Sequence, residues 1–444
     1  MRPAKKYESI IITVTWNRLD LIKKLIEALK KQTDRRFGVI IVDNGSKDKT
    51  QDYLINCAQK KILEDVPLWT ILLPENEGFA LSNNLGMTYA TEFLDFKYYI
   101  LLNNDTIPTP NFIGDLHKTV DSYLHGPEKE NVSQDKKLFP FLSQKKNWKI
   151  GSFAPLVVNY YAQNRVDAAG IKISPDGNAI NRGVGEKLYK YKREKEVFGP
   201  AGSAVLYLKR ALIDVALPPE QTAAILNLAN KPADEGKIWH AAIVPPDKEN
   251  KGLPLPIKEF FSSRYFAYFE DVDLAWRLRL RYWGCVYLPT VKILHHHSAT
   301  ARPYSPFKSY FVHRNQYFNL LRDFPGYFLG IGILHALRRY FYLLQSLWKQ
   351  QGPAAQLAKN SGKLNVFSIT LKGWLSVAKN FFGLLKERWH IQSQRQLSLA
   401  EFKKIINCPR FRANFYQMIF DAPDFLKARK NNGDGSKDRA SSID

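Results

Sequence analysis

The chain has 444 residues, enough for one large domain with an accessory region or for two domains, and its 45% hydrophobic and 24% charged content is that of a folded globular protein rather than a disordered or fibrous one. Its net charge of +23 is unusual and uneven, because residues from Ala301 onward carry 23 Lys and Arg against 8 Asp and Glu. Cys57, Cys285 and Cys408 are far apart and lack metal-ligand spacing, which excludes a disulfide framework or cysteine zinc site and points to reduced thiols in a cytosolic protein.

From the N-terminus, residues 1–8 lead into a short apolar strand rather than the longer apolar core of a signal peptide. The β-branched run over 9–15 predicts a buried strand. Residues 20–32 place Leu21, Ile22, Leu25, Ile26 and Leu29 on one helical face. Strands over 38–42, 68–73 and 98–102 then alternate with helices over 49–61 and 79–91. This order predicts an α/β fold with a mostly parallel sheet covered on both faces, whose ligands bind beyond the carboxyl ends of the strands. Thr15, Asp43, Asn76 and Asp105 fall at or just past such ends. Two stretches read as insertions: a polar surface loop over about 125–148 and a proline-rich excursion over about 214–262 that holds a short Ala/Leu-rich piece at 221–229. Residues 431–444 read as a disordered tail. No stretch reaches the ~18 uncharged apolar residues of a spanning helix.

Asn103-Asn104-Asp105 puts two amides and a carboxylate at the end of the 98–102 strand, although such residues also make ordinary turns. Asp43, followed by Asn44-Gly45-Ser46, is either an Asx turn opening a helix or an acceptor-only carboxylate able to pair with the imide N–H of uracil or thymine. Thr15, Asn17 and Arg18 suit contacts to base, ribose or phosphate, with helix capping as the alternative for Asn17. Asn76 and Gly78 open a helix where glycine permits close approach and N–H groups suit phosphate; capping again is the alternative. Glu270, Asp271 and Asp273 begin a helix expected to reach Tyr282, where acids complement the dipole and a carboxylate can accept a proton from a hydroxyl. His295-His296-His297 follows a strand over 286–294 and offers imidazole ligands. Gly202 and Ser203 lie in a small-residue turn suited to a pocket wall, and Arg314 suits either a diphosphate clamp or helix packing.

Seven stretches in order resemble the family 2 inverting glycosyltransferases of GT-A fold, near their rhamnosyltransferase-like branch. They are IIITVTWNR (10–18), VIIVDNGSKDKT (39–50), NEGFALSNNLGM (76–87), YYILLNNDTIP (98–108), GPAGSAVLYLKRAL (199–212), the segment 265–289 around FEDVD, and HHHSAT (295–300) with Arg314-Asn315. The resemblance implies a GT-A (Rossmann-like) domain over 1–302 and a C-terminal helical extension over 303–430. It implies transfer of a sugar, rhamnose by the nearest branch, from a nucleotide-diphosphate donor such as dTDP-rhamnose or a UDP-sugar. The acceptor would be a hydroxyl of a glycan or lipid-linked glycan in surface polysaccharide assembly. Alternatives are a UDP-hexose or galactofuranose transferase, or a non-catalytic nucleotide-sugar or glycan-binding protein.

By the same resemblance Asp271 is the general base. Thr15, Asn17, Arg18, Asp43, Asn76, Gly78, Asn103, Asn104 and Asp105 bind the donor, and Gly202, Ser203, Glu270 and Asp273 face the acceptor. Asp105 and His295 hold a divalent cation, Mn²⁺ or Mg²⁺, and His296 and His297 are ordinary polar surface. The first carboxylate of the family's metal motif is here Asn103, so one negative charge is missing. The basic, aromatic-rich residues after 303 suit either an anionic membrane surface at the inner face of the cytoplasmic membrane or a packed helical subdomain. No groove-reading motif supports a nucleic-acid partner.

Overall fold

The computed structural model describes residues 6–126, 128, 132, 134–144, 147–219, 242–244, 256–296 and 305–420. Strands β1 (Lys6–Thr15), β2 (Phe37–Asp43), β3 (Leu68–Leu72) and β4 (Asp95–Leu102) are parallel neighbours and mostly buried on both faces. That is why they read as continuous apolar runs rather than as alternation. Helices α1 (Leu19–Lys30), α2 (Thr50–Gln59) and α3 (Phe79–Phe93) connect them. The register pairs Thr15 with Asp43 and Asp43 with Leu72, so the three strands end level and release their loops on one edge.

Later elements supply the rest of the sheet, a separate two-stranded β8-β9 sheet and further helices. In chain order these are β5 (Thr106–Pro108), α4 (Phe112–His125), β6 (Lys149–Asn159), β7 (Val166–Ala168), β8 (Ile171–Ile173), β9 (Ala179–Asn181), β10 (Lys195–Val197), β11 (Ala204–Leu208), α5 (Lys209–Asp214), β12 (Ala242–Val244), α6 (Glu270–Leu280) and β13 (Trp283–His295). The order across the sheet is β10-β13-β6-β11-β4-β1-β2-β3-β12, with β5 on β13 and β7 on β6. Strand β11 runs antiparallel to both β4 and β6, whereas β6 and β13 are parallel. Two reversals restore the direction, so the C-terminal ends of β6 and β13 join those of β1 to β4. His295 thereby reaches the same edge as Asp105.

The segment expected as a surface loop over 125–148 is not one in its second half. Phe139, Phe141, Leu142 and Trp148 are buried, and the backbone N–H groups of Phe141 and Leu142 donate to one oxygen of Glu196 at 2.9 and 3.0 Å. The expected 214–262 excursion is described only in part. Strand β12 extends the sheet edge at β3, and Phe261 exchanges two hydrogen bonds with the Asn84 side chain. The 221–229 piece and the tail over 431–444 lie outside the described residues.

Beyond the sheet come α7 (Pro306–Asp323), α8 (Gly326–Trp348), α9 (Gly352–Ser361), α10 (Lys363–Ser393), α11 (Leu399–Ile406) and α12 (Phe415–Phe420). Helix α7 starts where the Ser305 side chain accepts from the Lys308 N–H and Pro306 fills the first turn. These helices complete the core rather than hang from it. Trp276 of α6 packs on Phe324 and stacks on Phe402 at 5.1 Å, and Ile173 exchanges backbone hydrogen bonds with Phe411 and Ala413.

Glu196 is a buried hub that pairs with Arg279 while it accepts from the 141–142 backbone. Glu196→Ala leaves the Arg279 cation and two N–H groups buried without that oxygen. It is expected to cost about 3–5 kcal/mol, the scale for breaking a buried pair, as read from the urea midpoint. Wild-type stability in this variant would contradict the assignment.

Candidate active site

The site begins where the parallel strands stop. Thr15 ends β1, and its hydroxyl accepts from the Asn104 amide at 3.0 Å. The Asn103 N–H donates to the Ser203 carbonyl at 3.0 Å, and the Thr106 hydroxyl donates to the Asn103 carbonyl at 2.7 Å. This turn delivers the Asp105 carboxylate to His295, with Oδ1 3.1 Å from Nε2, while the Asp105 carbonyl accepts the His296 N–H at 2.9 Å. The other imidazole nitrogen, Nδ1, lies 2.6 Å from Asp167 on β7. Burial alone would lower the His295 pKa, but the flanking Asp105 and Asp167 carboxylates overcome it and raise it to about 10.

The ring is therefore protonated at neutral pH, and a cation that displaced the Nε2 proton would meet Nε2 and Asp105 together, with Asp167 on Nδ1 as the usual support of a metal-binding histidine. Asp105 and His295 therefore fit a divalent cation. Among the described residues no three His, Cys, Asp or Glu side chains form a metal cage. Two protein ligands suit a hard cation completed by phosphate and water oxygens.

Asp43 satisfies both readings of its sequence at once. Its Oδ1 makes the turn, accepting from the Ser46 N–H at 2.9 Å and from the Gln51 amide at 2.8 Å. Its Oδ2 is buried with no hydrogen-bond partner among the described residues, and burial raises its carboxyl pKa. Asn17, Asn44 and Asn76 knit the surrounding loops. Asn17 takes a positive φ of 49°, donates its N–H to Ser46 Oγ and accepts from the Lys47 N–H. The Asn44 amide donates to Asn76 at 2.8 Å, and Asn76 accepts from the Gly78 N–H. Arg18 lies beside this edge with Nε and Nη2 on Asp20.

The start of α3 corrects one expectation. Gly78 has φ 85°, and a Cβ there would lie 2.7 Å from the Phe266 carbonyl. That carbonyl takes the N–H groups of Phe79 and Ala80 at 2.6 and 3.2 Å. The close approach that glycine permits is to the protein's own chain, and these first N–H groups do not face phosphate.

The segment meeting α3 is strained. Phe266, Tyr268 and Phe269 all have positive φ, of 59°, 67° and 70°, a conformation costing non-glycine residues about 1–3 kcal/mol each. Helix α7 holds it. The Asn315 amide donates to the carbonyls of Tyr265, Ala267 and Tyr268 at 3.1, 2.9 and 2.6 Å. Arg314 Nη2 donates to those of Arg264 and Tyr265 at 2.8 and 2.7 Å, while its Nε bonds Asn315. Arg314, for which a diphosphate clamp and helix packing were both open, is thus a buried strut committed to backbone carbonyls. Lys308, on the same helix with its ammonium 5.5 Å from the centre of the Tyr268 ring, is a cation that the sequence pattern did not single out.

The strained turn aims the acids at the start of α6. Asp271 is half-buried, its Oδ2 accepting the Gly202 N–H at 2.8 Å and its Oδ1 the Val272 N–H at 2.8 Å. Burial pushes its pKa upward against these bonds. A Cβ at position 202 would lie 3.3 Å from the carboxylate, so a larger residue there would press on Asp271. Because the Ser203 carbonyl holds Asn103, the Gly202-Ser203 pair links Asp271 directly to the Asn103–Asp105 turn. Glu270 Oε2 is buried without a partner among the described residues, and burial with the nearby Asp271 charge raises its pKa to about 8.

Asp273, expected at the acceptor, faces the other way. It is fully buried and pairs with Arg277 at 2.8 Å and with Arg322. At ~100° per residue, a helix turns position 273 to the core when 271 faces out. His296 is buried too, stacked on Tyr160 at 3.8 Å, rather than polar surface. His297 lies outside the described residues.

Two outcomes follow from this geometry. Asn315→Asp keeps the shape but removes the donors to three carbonyls; misplacing Asp271 in this way is expected to lower kcat about 100-fold with donor KM nearly unchanged. Unchanged kcat would show that the clasp does not position the acid. For Glu270, the unfolded chain releases its proton near 4.5 and the folded chain only near 8. Wild-type stability should therefore fall as pH rises across that window. Glu270→Gln should match wild type at pH 4 and melt at a higher temperature than wild type at pH 9; parallel melting curves across pH would contradict the raised value.

Known proteins show the following similarities to this chain. Residues 10–214 match the family model described as "Glycosyl transferase family 2". A stretch of 69 residues is 39% identical to an N-acetylglucosaminyl-diphospho-decaprenol L-rhamnosyltransferase of Mycobacterium tuberculosis (strain CDC 1551 / Oshkosh), covering 15% of this chain and 22% of that protein. The match thus spans about a fifth of that relative. Among solved structures, S. aureus TarS aligns over 87% of this chain and 55% of its own at 12% identity and a TM-score of 0.41. The mannosyltransferase PcManGT from Pyrobaculum calidifontis, solved with GDP-Man and Mn²⁺, aligns over 89% and 88% at 14% identity and 0.42. Over residues 10–214, a little under half of its length, the chain is thus similar to glycosyl transferase family 2.

Proposed function

We propose that the protein is an inverting glycosyltransferase that moves a sugar from a nucleoside-diphosphate donor to a hydroxyl of a glycan or lipid-linked glycan. The observation that carries this is the half-buried Asp271 carboxylate, tied through Gly202 and Ser203 to the turn that brings Asp105 against His295. An acid and a diphosphate-binding pair joined by one short backbone link suit a single in-line displacement. The acceptor hydroxyl gives its proton to Asp271, its oxygen bonds the anomeric carbon from the far side, and the bond to the nucleoside diphosphate breaks with inversion. The upward pKa shift of Asp271 makes it a better base than an exposed aspartate.

The remaining residues take supporting roles. Asp43 Oδ2 accepts the imide N–H of a uracil or thymine base. Thr15, Asn17, Arg18, Asn76, Asn103 and Asn104 shape the loops around ribose and diphosphate. Asp105 and His295 would hold a divalent cation, which when bound supplies Lewis-acid stabilisation of the departing diphosphate. Lys308 takes the cationic place expected for Arg314. Glu270, protonated at neutral pH, donates a hydrogen bond to the acceptor. The short rhamnosyltransferase match favours L-rhamnose as the sugar and surface polysaccharide assembly as the setting.

Asp271→Asn tests the assignment. It keeps nucleotide-sugar affinity by calorimetry and loses about two to four orders of magnitude in transfer rate, the scale for removing an acid–base group. Transfer at near-normal rate would reject Asp271 as the base.

A further inference from the structure

Helices α8 and α10 leave a large apolar face uncovered by the described residues. On α8, Leu334, Leu337, Phe341, Leu344 and Trp348 recur at spacings of three and four, which places them in one stripe, and all are exposed, Trp348 by 82%. On α10, Leu364, Phe367, Leu371, Trp374, Phe381 and Leu385 repeat the pattern, and exposed Phe382 and Trp389 widen it. Tyr340, next to Phe341 of the α8 stripe, touches Trp374 of the α10 stripe with ring centroids 5.3 Å apart, so the two helices adjoin beside their exposed faces.

The charges decide between occupants. Residues 326–393 contain nine Lys and Arg and a single acid, Glu387. Glu387 is buried and bound by Arg264 and Arg322, and Arg339 is buried against Asp176. What these two helices present outward is therefore cationic, with Lys372, Lys379 and Lys386 seven residues apart along the stripe of α10. A second copy of the same face would bring like charges together, whereas paired helices choose complementary flanking charges. Tryptophans beside lysines suit the boundary of an anionic bilayer, where indole rings sit at the headgroups and lysine stems run along apolar surface. No helix among the described residues is long and apolar enough to cross a membrane.

We propose that the joined face of α8 and α10 docks flat on an anionic lipid bilayer, stripes in the acyl boundary and lysines among the headgroups. This surface is separate from the Asp105, His295 and Asp271 site, so its test does not depend on the reaction proposed for that site.

The test is co-sedimentation of the full chain with vesicles of phosphatidylcholine alone or with 30% phosphatidylglycerol. Binding is expected to the anionic vesicles, to weaken as salt rises from 0.05 to 0.5 M, and to be far weaker to neutral ones. Lys372→Gln, Lys379→Gln and Lys386→Gln together should lower the affinity at least about tenfold, and Phe341→Ser with Phe382→Ser should abolish it. These positions are exposed, so unchanged melting temperatures separate lost binding from lost folding. Failure of wild type to bind anionic vesicles at low salt would overturn the proposal. A wild-type dimer that Phe341→Ser and Phe382→Ser convert to a monomer would overturn it in favour of a second copy.

Discussion

The line of Asp167, His295 and Asp105 is the interaction around which the site is arranged. It joins β7, β13 and the loop after β4 through contacts of 2.6 and 3.1 Å in a buried setting. Two carboxylates this close to one imidazole are tolerable only while the ring carries positive charge or shares its lone pair with a cation. The sheet makes the meeting possible. Because β11 reverses direction between β4 and β6, β13 ends on the same edge as the parallel strands, and residues 105 and 295 meet there.

A second constraint comes from α7. One face of this helix supplies Asn315 and Arg314 to the strained turn before Asp271, and Arg322 from the same helix closes on Asp273 two residues further along. Behind it, Glu387 of α10 pairs with Arg322 and with Arg264. Buried networks of this kind add little net stability over apolar packing, because desolvation offsets the attraction. They are intolerant of change, however, and so fix where the turn sits. The basic C-terminal third is therefore part of the machinery that holds the acid in place, while the described residues leave its outer face uncovered.

The first hundred residues were legible because strand and helix periods differ and a polar residue falls at or just beyond each strand's end. Runs such as 9–15 and 38–42 could be placed within a few residues, and Thr15, Asp43 and Asp105 fell on one edge as expected. The limits were physical. Asp167 lies on a three-residue strand, too short to show a period, and its partner is 128 positions away. Glu270, Asp271 and Asp273 look equivalent as a string, and only the helix phase separates a half-buried acid from one locked between arginines. Arg314 carries the right charge for a diphosphate, but no local pattern reveals that its hydrogen bonds go to carbonyls 49 and 50 residues back. Phe141 and Leu142 sit among lysines and glutamines, so their burial against Glu196 was masked by composition.

The central claim is that this sheet edge binds a nucleoside diphosphate through Asp105, His295 and a divalent cation. Isothermal titration of UDP and of dTDP into the full chain, with Mn²⁺ and again with excess EDTA, tests it most directly. The account predicts that at least one of the two binds with Mn²⁺, that chelation weakens it about tenfold or more, and that His295→Ala shows the chelated affinity under both conditions. Equal affinity with Mn²⁺ and with EDTA, or no binding of either nucleotide, would contradict it.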